Sequence, residues 1–181
     1  MASDDIRAVC HRDFTAAHDS GHRDTKLVKW VVLHSTEGMT AAAAANWFSN
    51  PKSAGSAHLV VDGTICYRTL ANDRVPWAAP GANEDGFHIE QAGFAHWSLT
   101  TWLAHRKTIE RAAYKTAVHL DLFKLPAVFV GWRELRADLP GVTTHAECTK
   151  AFGGDHTDPG PFWPRWLFMR RVRAYLAELQ S

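Results

Sequence analysis

Three side chains able to bind a metal stand far apart in this chain. His34 closes the apolar run Val31-Val32-Leu33, and His145 follows about a hundred residues later. Asp158 lies thirteen residues past His145, inside Thr157-Asp158-Pro159-Gly160. Imidazole nitrogen and carboxylate oxygen both bind zinc, and three protein ligands with a fourth position left to water is the pattern of a catalytic rather than a structural site. Taken singly, each has a plainer reading. The histidines would be core residues bonded to backbone, and Asp158 a turn residue before Pro-Gly. Taken jointly they read as the centre of a metal hydrolase, with Zn2+ as the expected cofactor. His145-x-x-Cys148 competes as a ligand pair, because thiolate also binds zinc and residues three apart share a helical face.

The elements that must hold these groups can be read from pattern. Trp30 to His34 is a short, β-rich apolar run and predicts a buried strand whose end carries His34. Thr40 is placed to cap an alanine-rich helix over 41–48, ended by Pro51. Ser56 to Val61 and Ile65 to Leu70 flank Asp62-Gly63, a hairpin signal. A loop holding Pro76-Trp77 and Pro80-Gly81 spans 72–85. Phe87 to Gln91 alternates like a half-buried strand. Helical spacing runs from Lys107 to Lys124, through Ile109, Ala112, Ala113, Ala117, Leu120 and Phe123. Val142 to His145 reads as a short strand and Trp163 to Leu179 as a helix. Strands and helices interleave, so the expected class is α/β, a single domain with a central mixed β-sheet flanked by helices. Residues 1–27 are polar, without sustained period, and read as an arm packed on through Phe14; 28–181 form the catalytic domain.

Composition narrows the partners. The chain has 181 residues, 46% hydrophobic and 22% charged, which is ordinary for one globular domain and argues against disorder. A formal net charge of +1 gives no reason to expect nucleic acid or an acidic membrane as a partner. Eight tryptophans are many for this length, and exposed ones would suit stacking on sugars. Three widely spaced cysteines without a C-x-x-C pair predict no disulfide framework and synthesis in a reducing compartment. The acidic N-terminus shows no apolar signal region, and no run approaches the ~18 apolar residues that span a bilayer. The expectation is a monomer made in the cytoplasm, without membrane insertion, that some other agent must release if its substrate lies outside.

Five motifs in order carry a resemblance. They are Val31-Val32-Leu33-His34-Ser35-Thr36; Ser56-Ala57-His58-Leu59-Val60-Val61-Asp62-Gly63-Thr64-Ile65; Ile89-Glu90; His145; and Thr157-Asp158-Pro159-Gly160-Pro161-Phe162. Together they resemble the zinc-dependent N-acetylmuramoyl-L-alanine amidases of the type-2 amidase group, which includes phage endolysins and peptidoglycan recognition proteins. The likeness runs from about Lys29 to Leu176. It implies peptidoglycan as substrate and cleavage of the amide between N-acetylmuramic acid and the L-alanine of the stem peptide. It also implies zinc held by His34, His145 and Asp158, which favours Asp158 over Cys148, and Glu90 as acid/base. His58 falls in the hairpin motif and is expected to line the groove or support the metal shell, with a plain structural role as the alternative; Trp77 is expected to wall the groove, with a buried core tryptophan as the alternative.

Two departures from the family pattern stand out. Where relatives carry a lysine two positions before the third ligand, this chain has His156, which can still donate to an oxyanion but changes charge near neutral pH. Where many relatives read Trp-His-Ala-Gly, this chain reads Trp77-Ala78-Ala79-Pro80-Gly81. His88, His96, His105 and His119 match no motif and are read as structural or surface residues; His11, His18 and His22 are read as solvated. The runs around Trp77 and Glu90 are similar to amidase modules of endolysins from phages of actinobacteria. That similarity implies release through a holin-type hole, with a cytosolic wall-recycling amidase and a non-catalytic peptidoglycan-binding module as alternatives. No cell-wall-binding domain is evident, which leaves open whether the chain is a whole protein or one module.

Overall fold

The computed structural model describes residues 5–181. Five strands form one mixed sheet: β1 (Trp30–Ser35), β2 (Leu59–Val61), β3 (Cys66–Arg68), β4 (Gly86–Gln91) and β5 (Gly141–Thr144), in the order β3-β2-β4-β1-β5. β1 runs parallel to β4 and β5, β2 runs parallel to β4, and only the β2–β3 hairpin is antiparallel. Six helices cover the sheet: α1 (Ala41–Phe48), α2 (Leu99–Ala104), α3 (Arg106–Phe123), α4 (Trp132–Arg136), α5 (His145–Phe152) and α6 (Arg165–Leu179). No described helix is long and apolar enough to cross a membrane.

Period-2 alternation decides what each face carries. Val31 and Leu33 of β1, with Leu59, Val61, Phe87, Ile89 and Val142, pack into the main core beneath α3 and α6. Trp30 and Val32 point the other way, into a smaller core with Ala79, Ala82, Leu135 and Cys148 under α4 and α5. His34 continues that second face at the strand's C-terminal end. Parallel sheets buried on both sides favour continuous apolar strands, and β1 is buried along its whole length.

Local chemistry explains the ends. Thr40 accepts a hydrogen bond from the Ala43 N–H at 3.2 Å and starts α1. Asp62 closes the hairpin by accepting from the backbone N–H groups of Thr64 and Ile65 at 2.8 and 2.9 Å. The strand expected over 142–145 stops one residue early. Thr144 caps a helix instead, its hydroxyl accepting from the Glu147 N–H, so His145 opens α5 rather than ending β5. The hairpin strands are shorter than expected, Leu59–Val61 and Cys66–Arg68, although the Thr69 N–H still donates to the His58 carbonyl at 3.0 Å. The Thr69 hydroxyl turns back to donate to the Ala57 carbonyl.

One expectation fails. Cys10 and Cys66 are joined in a disulfide, and Cys148 alone stays free and buried. The pairing has no sequence signal because the arm creates it. The His11 N–H donates to the Cys66 carbonyl, the Arg68 N–H donates to the His11 carbonyl, and both bonds are 2.8 Å. Phe14 meets Tyr67 edge-on with centroids 5.0 Å apart. The first described residues therefore lie along β3, bringing two cysteines 56 positions apart into contact.

Candidate active site

The C-terminal ends of β1 and β4 open into a cleft of about 780 Å³. Such crevices at the carboxyl ends of parallel strands are where open α/β sheets bind ligands. His34 comes from the end of β1, Glu90 from β4, His145 from the first turn of α5, and His156 and Asp158 from the loop that follows α5. All five line the cleft.

Three of them converge. His34 Nδ1 lies 3.1 Å from His145 Nδ1 and 3.2 Å from Asp158 Oδ2, and His145 Nδ1 lies 3.1 Å from Asp158 Oδ1. Among the described residues this is the one group with metal-ligand geometry, and all three members are buried. Tetrahedral zinc with bonds near 2.1 Å would place its ligand atoms about 3.4 Å apart, so the donor set fits that ion with little adjustment. Burial works against the charge on Asp158, yet bonds from His145 and His34 hold its carboxyl well below the usual carboxylate range. Burial pushes His34 the opposite way, toward the neutral imidazole a metal needs.

The third ligand is carried by a loop pinned at several points. The Ala146 N–H, in the first turn of α5, donates to the Asp158 carbonyl at 2.9 Å, and the Ser35 N–H donates to Asp158 Oδ2 at 3.3 Å. Gly160 has φ +98°, and a β-carbon there would run into the backbone of Ala95, so no other residue fits this approach.

Glu90 sits beside the three. Its Oε2 is shielded from solvent and has no hydrogen-bond partner. Burial first, then the charges of Asp158 and Glu37, raise its pKa well above the ordinary value. A partnerless carboxylate oxygen in a cleft is suited to taking a proton from a water placed there. His156 is half exposed and stacks on His145 at 4.1 Å, with its Nδ1 3.5 Å from Asp158 Oδ1. It can donate toward charge developing at the mouth of the site.

Trp77 walls the cleft, its indole N–H donating to the Ser20 hydroxyl at 2.8 Å and its ring stacked on His18 at 4.8 Å. His18, read from sequence as solvated, thus backs a groove residue. His58 does not reach the cleft. It is fully buried behind β4, stacked on Phe87, and accepts from the His88 N–H at 3.0 Å. Cys148 faces the second core one turn along from His145, and burial pushes its thiol up to about 12. Sequence reasoning missed Glu37, which lines the cleft while accepting from the Ser35 hydroxyl and the Ala95 N–H, both at 2.8 Å. It also undervalued His88, which touches His34. Alternation could have found His88, since it lies two residues before Glu90 on the same strand face.

An α/β sheet with two histidines, two carboxylates and a shielded cleft at its strand ends defines a hydrolase-type centre. Residues 23–161 match the family model described as N-acetylmuramoyl-L-alanine amidase, and the chain belongs to that family. It is an amidase, acting on an amide of peptidoglycan. Comparison with curated protein sequences yields no match.

Solved structures share the fold. The Staphylococcus aureus hydrolase AmiA, in complex with its ligand, superposes with a TM-score of 0.74 at 19% identity, covering 96% of this chain and 86% of AmiA. A mutant endolysin from Bacillus subtilis gives 0.60 at 18% identity, covering 91% and 99%. The N-acetylmuramoyl-L-alanine amidase LysC from Clostridium intestinale gives 0.59 at 15%, covering 92% and 97%.

Proposed function

We propose that this protein is a zinc-dependent N-acetylmuramoyl-L-alanine amidase working as a phage endolysin on the wall of an actinobacterial host. The observation that carries the reading is the convergence of His34, His145 and Asp158 within 3.2 Å, with Glu90 beside them. The donor set, two imidazoles and one carboxylate, is that of a hydrolytic rather than a structural zinc site. Zinc held there supplies a Lewis acid for the scissile carbonyl and makes water a stronger acid. Glu90 Oε2 accepts the proton of the attacking water as the water oxygen bonds to the lactyl carbonyl carbon. His156 donates to the oxyanion that forms. Glu90 then delivers its proton to the leaving nitrogen as the carbon–nitrogen bond breaks, which frees a lactyl carboxylate and the amino group of L-alanine.

Work outside the cytoplasm, after release through a membrane hole, suits the Cys10–Cys66 bond, because disulfides persist in oxidising surroundings. A recycling amidase kept in a reducing cytosol gains nothing from that bond. The test is digestion of purified actinobacterial peptidoglycan with and without a chelator. Chelator-sensitive release of N-terminal alanine, without new reducing ends, is the expected result. Reducing ends would indicate a glycosidase and overturn the reading, and binding without either product would indicate a recognition module.

A further inference from the structure

Behind His34 runs a second hydrogen-bonded chain that never touches the cleft. His34 Nε2 lies 3.0 Å from His88 Nδ1, and His88 Nε2 lies 3.2 Å from the Ala82 carbonyl oxygen. Both rings are buried, His88 completely. A carbonyl oxygen only accepts, so Nε2 of His88 carries a proton and donates it. Neutral His88 then presents a lone pair at Nδ1 to a proton on His34 Nε2. Asp158 Oδ2, 3.2 Å from His34 Nδ1, also only accepts, so without metal both neighbours draw on the one proton of a neutral His34; a metal at Nδ1 would leave that proton at Nε2, facing His88.

We propose that His88 is a positioning residue. It holds the His34 ring in the orientation that turns Nδ1 toward His145 and Asp158, and it accepts the Nε2 proton when Nδ1 serves as the metal-binding atom. This rests on the reading of the triad as a metal centre. Outer partners that orient a ligating histidine in this way commonly set metal affinity.

Three further observations support a built rather than an incidental relay. The His88 N–H donates to His58 Nδ1 at 3.0 Å, so a second buried ring fixes the strand at that point. Gly86, two residues earlier on the same face of β4, leaves the relay its room. A β-carbon there would collide with both the Ala82 carbonyl oxygen and His88 Nε2, the two atoms of the outer bond. Arg23 then ties down the backbone next to Ala82, donating to the Glu84 and Gly86 carbonyls at 2.7 Å each.

The test combines nitrogen NMR of His34 in zinc-loaded wild type with zinc-affinity titrations of wild type, His88→Leu, His88→Asn and Gly86→Ala. In the zinc-loaded protein His34 should be protonated at Nε2 and bare of a proton at Nδ1. Zinc affinity should fall about ten- to a hundredfold in His88→Leu and in Gly86→Ala. His88→Asn should recover most of it, because its amide oxygen still accepts from His34. Gly86→Ala keeps every side chain of the relay, so a folding failure of His88→Leu leaves the test intact. Protonation of zinc-loaded wild-type His34 at Nδ1, or equal affinities throughout, overturns the proposal while leaving the metal centre standing. A wild type that binds no zinc overturns the functional reading and this proposal with it.

Discussion

His34 and Glu90 are lateral partners in the parallel ladder between β1 and β4. Paired positions on neighbouring strands present their side chains to the same face, so the backbone register itself holds a ligand-type imidazole beside a proton-accepting carboxyl. Neither residue depends on a loop for its place. Glu90→Gln should therefore retain full metal content and native stability while turnover falls by about 10²–10⁴, the usual span for a lost general base. Loss of metal from Glu90→Gln would show that this carboxyl is a ligand instead.

Asp158→Ala removes one of three ligands and the residue that ties the loop to Ser35. Bound zinc, measured by metal analysis after dialysis, should drop to trace levels, with activity lost and the far-ultraviolet spectrum nearly unchanged. Cys148→Ser is the matched control, since that side chain packs in the second core and points away from the cleft. It should keep its zinc. The reverse outcome for the two variants would reassign the third ligand.

His156 stacks on His145 at the cleft mouth. Histidine as a residue type changes charge near neutral pH and lysine does not. The activity profile of wild type between about pH 5.5 and 9 should therefore fall away on the alkaline side earlier than that of His156→Lys. Superimposable profiles would remove His156 from the chemistry.

His119 reports on stability rather than catalysis. Its ring is buried against Phe87, Nδ1 donates to the Lys115 carbonyl at 2.7 Å, and burial lowers its pKa to about 4. The unfolded chain, with an ordinary histidine near 6.5, binds the proton more tightly. Stability from this group is thus complete above pH ~6.5 and is lost as pH falls toward about 4, by roughly 3 kcal/mol over the window. Urea unfolding of wild type and His119→Leu at pH 7.5 and pH 5 checks it. The variant should lose clearly less between the two; parallel losses would place the acid sensitivity elsewhere.

The Cys10–Cys66 bond closes a loop of 56 residues. By chain entropy such a link stabilises by about 4 kcal/mol, and removing a native disulfide commonly costs about 2–5 kcal/mol. Cys10→Ser should lower the unfolding midpoint by several degrees and should be insensitive to added reductant, whereas wild type should drop to meet it. A wild type whose midpoint ignores reductant would mean the bond contributes nothing.

What the sequence made legible follows from periodicity and from motif frames. β1 announced itself as a short continuous apolar run, β4 and α3 by alternation and helical spacing, and Asp62-Gly63 and Thr40 because turn and cap chemistry is local. The five cleft residues were legible through the order of their motifs. What stayed hidden depends on contacts across the chain. His145 reads as a strand end until Thr144 is seen to cap α5. His58 sits in a motif yet is buried against Phe87 and does not line the cleft. The disulfide exists only because the arm pairs with β3, and His88 acquires a role only from the ring it faces.

The arm carries a further consequence. The family-matched stretch begins at residue 23 and ends at 161, so it leaves out Cys10, His18, Ser20 and the whole of α6. Yet Ser20 and His18 hold the tryptophan that walls the groove, and Phe168, Met169 and Val172 of α6 fill the core under β1. The segment that can be recognised from one relative to the next is therefore smaller than the unit that must fold. An engineer who trims this protein to its recognisable part would keep every reactive group and lose the scaffold that aims them.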